Sequence, residues 1–234
     1  MTGRINSIQT LGTVDGPGVR FVLFVQGCPL RCAYCHNPDT WDVRGGEEMS
    51  TEEIIKKVKR YREYFGEDGG ITVSGGEPLL QADFVRELFE RCREEGIHTA
   101  LDTSGCIWND KVEKLLSVTD LCLLDYKMTN DEDYLRYTRA EKSSVDRFLS
   151  ELQRREIDTW LRQVIVKGIN DSCESVKYLY DVAANHPCVK KVELLKFRKL
   201  CTPKYENLGI EFPFGNIPET TASDIKQLLE QIKK

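Results

Sequence analysis

Short apolar segments alternate with amphipathic segments along this chain. Residues 19–25 form a nearly continuous apolar run, which is typical of a strand buried on both faces of a sheet. Further short apolar segments predict five more strands, at residues 71–73, 99–101, 121–124, 160–166 and 189–195. The pattern therefore indicates a six-stranded sheet whose strands are separated by helices.

The segments between these strands have helical periodicity. Ser50 and Glu53 have the spacing of a capping box and predict the start of a helix whose apolar face is Ile54, Ile55, Val58, Tyr61 and Phe65. Residues 81–95 predict a helix that ends at Gly96. Other helices are predicted at about 111–117, 143–156, 173–184 and 222–233.

Alternating strands and helices predict right-handed βαβ units and a parallel sheet, so the fold class is α/β. Six units are too few for a closed eight-stranded barrel, and either an open partial barrel or a doubly wound sheet fits the pattern. We expect one domain over residues 1–234, with an irregular segment at 196–220 on the rim of the sheet.

Three cysteines, Cys28, Cys32 and Cys35, form a Cx3CxxC group. Three thiolates can bind three irons of a [4Fe–4S] cubane and leave the fourth open, whereas an electron-transfer cluster closes all four corners with cysteine. An open corner predicts that a substrate or cofactor binds the remaining iron. A zinc site, which usually requires four ligands in two pairs, and incidental cysteines are the alternatives. The odd count of nine cysteines disfavours a disulfide framework.

Polar groups follow each predicted strand, where parallel α/β folds place their chemistry. They are the cysteine loop, Ser74-Gly75-Gly76-Glu77-Pro78, Asp102-Thr103, Asp125-Tyr126-Lys127, Lys167-Gly168 and Lys196-Phe197-Arg198. The glycine pair either makes a turn or lets backbone carbonyls accept hydrogen bonds from a ligand ammonium. The strand-end charges are either salt-bridge partners or ligand contacts, and Tyr34 either packs the loop or contacts a purine.

Composition limits the partners. The formal net charge of −5 argues against a nucleic-acid partner, and no apolar run approaches the roughly 20 residues of a transmembrane helix. The first twelve residues lack the apolar core of a signal peptide. We therefore expect a cytoplasmic protein that does not bind nucleic acid or membrane.

The cysteine loop, with Tyr34 before its third cysteine, resembles the signature loop of radical S-adenosylmethionine (SAM) enzymes. Three longer strings resemble, more narrowly, the pyruvate formate-lyase activating enzymes. They are GTVDGPGVRF at 12–21, YCHNPDTW at 34–41, and GIHT with LDT at 96–103. The resemblance extends from about residue 4 to residue 195.

This resemblance implies a partial, open (β/α)6 barrel of the TIM-like radical SAM type. It implies one [4Fe–4S] cluster on Cys28, Cys32 and Cys35, with the amino and carboxylate groups of SAM on the open iron. The SAM contacts that it implies are Tyr34, Cys35, His36, Gly75, Gly76, Glu77, Asp102, Asp125, Tyr126 and Lys127. It also implies a monovalent cation near Asp102, Thr103 and Asp125.

The implied reaction is activation of a glycyl-radical enzyme, with pyruvate formate-lyase as the expected partner and flavodoxin or ferredoxin as the electron donor. SAM is cleaved reductively, and a hydrogen is abstracted from a backbone glycine of the partner. The alternatives are a radical SAM enzyme acting on another glycyl-radical enzyme or on a small molecule, and a non-enzymatic zinc or redox module.

The chain departs from the family after the sixth strand. It has Lys196-Phe197-Arg198 where the family has Pro-Tyr-His, and we expect Arg198 to stack on the adenine in place of that histidine. Larger relatives carry a ferredoxin-like insert after the cluster loop. Here only residues 42–49 separate the loop from the first helix, so no such insert is expected.

Overall fold

A computed structural model describes residues 1–232, and in them eight strands form one sheet. The strands are β1 (Thr2–Gly12), β2 (Arg20–Val25), β3 (Glu47–Ser50), β4 (Gly70–Gly75), β5 (His98–Thr103), β6 (Leu121–Asp125), β7 (Asp158–Ile165) and β8 (Val189–Lys196). Their order in the sheet is β3-β1-β2-β4-β5-β6-β7-β8. The six strands predicted from apolar runs are all present.

Six neighbouring strands of the sheet are parallel, in the order β2-β4-β5-β6-β7-β8. The strand β1 pairs antiparallel with both β2 and β3. The sheet has two edges, β3 and β8, and does not close. This arrangement confirms the open, partial barrel.

Nine helices accompany the sheet in the described residues. They are α1 (Thr51–Lys59), α2 (Arg62–Phe65), α3 (Ala82–Glu94), α4 (Asp110–Leu116), α5 (Asp131–Thr138), α6 (Lys142–Arg154), α7 (Cys173–Ala184), α8 (Thr202–Leu208) and α9 (Ala222–Ile232). The predicted end of the last helix at residue 233 lies outside the described residues.

The predicted first helix is divided in two. Ser50 caps α1 as expected, because its hydroxyl accepts from the Glu53 N–H while the Glu53 carboxylate accepts from the Ser50 N–H. However, α1 ends at Lys59, and Phe65 belongs to the separate four-residue helix α2. Phe65 is nevertheless buried, so the predicted apolar face is retained across the break.

The segment 196–220 was predicted to be irregular, and α8 within it corrects that prediction. Pro203 occupies the first turn of the helix, and Gly209 ends it in the left-handed conformation at φ 64°. Tyr205 is the buried residue of this short helix. A seven-residue helix with one buried side chain has no apolar period that could be recognised in the sequence.

The register of the parallel strands brings their carboxyl ends to one rim. Val73 pairs with Leu101, Thr103 pairs with Leu124, and Asp125 pairs with Arg162. The polar residues that follow β4, β5 and β6 therefore lie side by side. None of the helices in residues 1–232 is both long and apolar enough to span a bilayer.

Candidate active site

A cavity of about 260 Å³ opens at the carboxyl ends of the parallel strands. Most of the residues predicted to form a site line it together. They are Cys28, Cys32, Tyr34, Cys35, His36, Gly75, Gly76, Glu77, Asp102, Asp125 and Lys127. The structure thus places the cysteine loop and the strand-end charges around one space.

The cysteine loop follows β2 and is held by the carboxyl end of α5. The backbone N–H of Arg31 donates to the Thr138 carbonyl at 3.0 Å, and the N–H of Ala33 donates to the Tyr137 carbonyl at 2.8 Å. These bonds satisfy carbonyls that the helix end would leave unpaired. They also fix the backbone on both sides of Cys32.

The three thiols are protonated at neutral pH in the absence of a metal. Burial raises the pKa of Cys32 to about 12, an effect partly opposed by the charge of Lys127. Burial also raises the pKa values of Cys28 and Cys35. Metal binding at this loop would therefore release protons.

The three cysteines fit a cluster better than a single ion. Among residues 1–232, no three His, Cys, Asp or Glu side chains lie close enough together to bind one metal ion. In a cubane each thiolate binds a different iron, so the three sulfurs need not converge on one point. All three nevertheless line the same cavity.

Only glycine fits at positions 75 and 76, because the backbone there lies very close to the backbone of residues 25 and 27. A Cβ on Gly75 would lie 2.3 Å from the Val25 nitrogen, and one on Gly76 would lie 2.1 Å from the Gly27 carbonyl oxygen. Gly75 also has φ +113°. The glycine pair therefore brings the loop after β4 against the end of β2, beside the cysteine loop.

Glu77 links the loops that follow β4 and β5. Its side chain is 1% exposed, and its carboxylate accepts hydrogen bonds from the Thr103 hydroxyl and from the hydroxyl and backbone N–H of Ser104. The carboxylate also accepts from the Leu79 N–H at 3.1 Å. Glu77 lines the cavity with a carboxylate that is already hydrogen-bonded.

Four charged side chains also line the cavity. Lys127 Nζ donates to Asp125 Oδ2 at 2.9 Å, and Arg162 Nη1 lies 3.4 Å from Asp102 Oδ1. Burial raises the pKa of Asp102 to about 7, although Arg162 opposes this effect. Burial alone would raise the pKa of Asp125 as well. The positive charges of Lys127 and Arg162 outweigh this effect, so the pKa of Asp125 is lowered.

Part of this charged group lacks hydrogen-bond partners. Asp102 Oδ1 and the Nε and Nη1 atoms of Arg162 are buried and have no hydrogen-bond partner within residues 1–232. Buried polar atoms are rarely left in this state in folded proteins. Asp102 Oδ1 and Arg162 Nη1 are ion-paired with each other, and Arg162 Nε lies 3.6 Å from Glu193 Oε2, so the charges are compensated although no well-formed hydrogen bond joins them. The Asp102 and Arg162 side chains both line the cavity and present charges of opposite sign, which suits a ligand that carries both an ammonium and a carboxylate, as SAM does.

Two predicted contacts are not on the cavity wall. Tyr126 is fully buried and its hydroxyl donates to Asp146 Oδ1 at 2.6 Å, because it points to the face opposite Asp125 and Lys127. The Arg198 side chain is 45% exposed and lies 3.5 Å from the Glu219 carboxylate. The Arg198 side chain is therefore not part of the cavity lining, and its backbone carbonyl accepts from the His36 ring at 2.8 Å.

Two charged cavity residues, Asp15 and Arg162, were not singled out from the sequence as site residues. Ser74, which belongs to the predicted polar group after β4, also lines the cavity and donates to Asp102 Oδ2 at 2.7 Å. The available signal for Arg162 was a charged residue inside a strand predicted to be buried, which requires a counter-charge nearby. Asp15 lies in the GTVDGPG string, between Gly12 and Gly16, and the glycines of this string were the signal for an unusual backbone there.

Comparison with known proteins agrees with this geometry. Residues 22–179 match the Radical SAM superfamily. The chain is 43% identical to the pyruvate formate-lyase-activating enzyme of Clostridium pasteurianum, with 99% of this chain and 98% of that protein covered. It is 40% identical to the pyruvate formate-lyase 1-activating enzyme of Escherichia coli K12, with 98% and 96% covered.

Similar solved structures support the fold. SuiB of Streptococcus suis, bound to its precursor peptide SuiA, has a TM-score of 0.71 at 14% identity and covers 91% of this chain and 44% of SuiB. A domain of a pyruvate-formate lyase-activating enzyme from Bacteroides vulgatus has a TM-score of 0.58 at 19% identity, with 70% and 93% covered. From its sequence relatives and its cysteine-lined cavity, the chain belongs to the radical SAM superfamily and, within it, to the family of the pyruvate formate-lyase-activating enzymes.

Proposed function

We propose that this protein activates a glycyl-radical enzyme of the pyruvate formate-lyase type. The observation that carries the proposal is one cavity in which three cysteine thiols face the charged group of Asp102, Asp125, Lys127 and Arg162. Radical SAM enzymes use a [4Fe–4S] cluster and SAM. When bound, these cofactors supply the radical chemistry, in which SAM is cleaved reductively and a hydrogen is removed from a backbone glycine of the partner.

Cys28, Cys32 and Cys35 are the residues that would hold the cluster. Lys127 supports this role, because its positive charge opposes the effect of burial on the Cys32 and Cys35 thiols and so favours their thiolate forms. The polar contacts of the loop with α5 keep its backbone in place before the cluster is bound.

The charged wall and the glycine loop would bind the polar end of SAM. The Arg162 guanidinium suits its carboxylate, while the Asp102 carboxylate and the backbone carbonyls at Gly75 and Gly76 suit its ammonium. Tyr34, which is 5% exposed and lines the cavity, offers an apolar ring to the nucleoside end. His36, held by the Arg198 carbonyl, lies at the exposed side of the same opening.

A monovalent cation near Asp102, Thr103 and Asp125 is part of the same proposal. Asp102 and Asp125 both line the cavity beside Thr103. The charge of Asp125 contributes to raising the pKa of Asp102, and a bound cation would relieve this repulsion. The cation would offset part of the negative charge that accumulates where the SAM carboxylate binds.

We infer that the chain works as a single radical SAM domain without a ferredoxin-like insert. Residues 42–49 lead directly from the cysteine loop through β3 to α1. With one cluster, the enzyme must receive an electron for each SAM that it cleaves, and a flavodoxin or ferredoxin is the donor that we propose. All nine cysteines are unpaired, which fits the reducing cytoplasm as the compartment.

An EPR experiment tests the function. The anaerobically reconstituted protein is reduced and mixed with SAM and a pyruvate formate-lyase, and we expect a glycyl-radical doublet. The Cys32→Ala variant should give no doublet. The control Cys173→Ala, which changes an exposed cysteine on α7, should retain it.

The products separate the possible failures. If no doublet forms but 5′-deoxyadenosine accumulates, the radical chemistry stands and the partner is another glycyl-radical enzyme or a small molecule. If neither signal forms although the protein holds an intact cluster, the proposed function is wrong.

A further inference from the structure

Trp41 follows the cysteine loop and contains an unsatisfied donor. Its indole Nε1 is buried and has no hydrogen-bond partner within the described residues. The ring is fixed on one face by the Arg31 guanidinium, which lies 5.0 Å from the ring centroid. A buried N–H without an acceptor is unfavourable, so its direction requires an explanation.

The Trp41 indole is close enough to act on the thiol of Cys35. Burial raises the pKa of that thiol, while hydrogen bonding from the backbone N–H of Asn37 and from the Trp41 indole acts in the opposite direction. A neutral thiol is a weak acceptor and does not satisfy the indole donor, which has no hydrogen-bond partner within the described residues. A cluster-bound thiolate carries more negative charge and is a stronger acceptor.

Tyr205 holds the same cysteine from a distant part of the chain. Its hydroxyl donates to the Cys35 backbone carbonyl at 3.2 Å, and its side chain is 1% exposed. Its ring stands edge-on to Trp41, with centroids 6.1 Å apart. The two aromatic residues therefore form one packed unit around Cys35.

Neighbouring contacts fix this unit in place. Lys204, beside Tyr205 on α8, donates to Asn37 Oδ1 at 2.8 Å and to Asp39 Oδ1 at 3.0 Å. The Tyr205 ring also stacks on Phe212, with centroids 4.6 Å apart. As a result α8 is attached to the segment that follows the third cysteine.

We propose that Trp41 and Tyr205 are positioning residues for the third cluster ligand. With a cluster on Cys35, Trp41 would donate to the Cys35 sulfur, while Tyr205 donates to the Cys35 carbonyl. The inference rests on the proposed function only in requiring that a cluster binds Cys35. Neither residue needs to touch SAM or the partner protein.

The two donors have different consequences. Reduction adds negative charge to the cluster, so a donor to a ligand sulfur stabilises the reduced state more than the oxidised state and raises the midpoint potential. A donor to the backbone carbonyl leaves the charge on the sulfur unchanged. It instead restrains the loop and slows the loss of iron.

The test uses Trp41→Phe and Tyr205→Phe in the reconstituted full chain. For Trp41→Phe we expect a lower midpoint potential in an EPR-monitored titration, by roughly a tenfold change in the one-electron equilibrium, or about 59 mV. For Tyr205→Phe we expect an unchanged potential and roughly tenfold faster iron release to a chelator.

Two matched controls change the same residue types elsewhere. Trp160→Phe alters a partly buried tryptophan on β7, and Tyr64→Phe alters a tyrosine that is 60% exposed. Both controls should match the wild-type protein in iron content, midpoint potential and iron release.

A wild-type potential in Trp41→Phe, or wild-type iron retention in Tyr205→Phe, overturns the corresponding half of the proposal. If Trp41→Phe does not fold, benzothienylalanine incorporated at position 41 keeps the ring shape without the N–H and must show the lowered potential. If the wild-type chain itself binds no cluster, the proposed function fails. If wild type binds a cluster and the variants do not differ from it, only the present inference fails.

Discussion

Lys127 Nζ and Asp125 Oδ2 lie 2.9 Å apart on the wall of the cavity that the three cysteines share. The two side chains are 15% and 32% exposed. Since Lys127 and Arg162 outweigh the effect of burial and lower the Asp125 pKa, the pair is ionised at neutral pH. It supplies a fixed positive charge beside Cys32 and a fixed negative charge beside Arg162.

Replacing this lysine should weaken SAM binding. Lys127→Met removes the positive partner of Asp125 and leaves an uncompensated carboxylate in the cavity, so we expect affinity for SAM to fall by at least about tenfold. Titration calorimetry on the anaerobically reconstituted protein measures this loss.

The control for Lys127→Met is Lys111→Met, which removes an exposed lysine 2.6 Å from Asp83 on the helical surface. Its SAM affinity should equal that of the wild type. Equal affinities in all three proteins would show that the Lys127–Asp125 pair takes no part in SAM binding.

Asp102 should make the stability of the metal-free protein depend on pH. Burial raises its folded-state pKa to about 7, against about 3.9 for an unfolded chain. Between these values the folded state binds more protons than the unfolded state, so this group lowers the free energy of unfolding as the pH rises from about 4 to about 7. Asp102→Asn should remove that decrease.

Urea unfolding of the reduced, metal-free protein at several pH values from about 5 to about 8 checks the prediction. The difference between wild type and Asp102→Asn should change with pH, whereas the exposed control Glu132→Gln should run parallel to the wild type. Parallel curves for all three proteins would mean that Asp102 keeps an ordinary pKa.

Gly75 should tolerate a side chain less well than another glycine with positive φ. Gly168 has φ +73° and nothing within 4 Å of an added Cβ, so Gly168→Ala should cost only the backbone strain of about 1 kcal/mol. Gly75→Ala adds a collision with the Val25 nitrogen and should cost roughly 3 kcal/mol or prevent folding. Comparable losses in thermal unfolding would contradict the close approach of the two loops.

Arg198 should be dispensable for SAM binding despite its place after the sixth parallel strand. Its guanidinium pairs with Glu219 at the surface, so Arg198→Ala should change SAM affinity by less than about twofold. Arg162→Met, which removes the buried guanidinium beside Asp102, serves as the positive comparison and should weaken binding strongly. A large loss in Arg198→Ala would show that this side chain reaches the cavity.

The parallel strands could be predicted because each is a short apolar run, but the edge strands could not. In β1 only Gly3, Ile5 and Gly12 are buried, and in β3 no residue is buried, so neither has the pattern of a core strand. Both are recognisable only through their antiparallel pairing with each other and with β2.

Cavity residues could be predicted where a polar group directly follows a strand. The prediction failed where the direction of a side chain decides whether it reaches the cavity. Asp125 and Lys127 face the cavity, and the two-residue period that unites them sends Tyr126 to the other side. Arg162 lies at the site because the pairing of β7 with its neighbour β6 places it beside Asp125. That pairing depends on register, which the sequence of either strand does not contain.

The attachment of Tyr205 to Cys35 also sets an order of events during biosynthesis. The three cysteines leave the ribosome early, but the carbonyls of Tyr137 and Thr138 and the hydroxyl of Tyr205 that hold their loop are synthesised much later. A nascent chain that ends before α8 lacks part of the frame around the third ligand. Iron insertion into this protein is therefore expected to follow completion of translation, when all the segments that contact the cysteine loop have been synthesised.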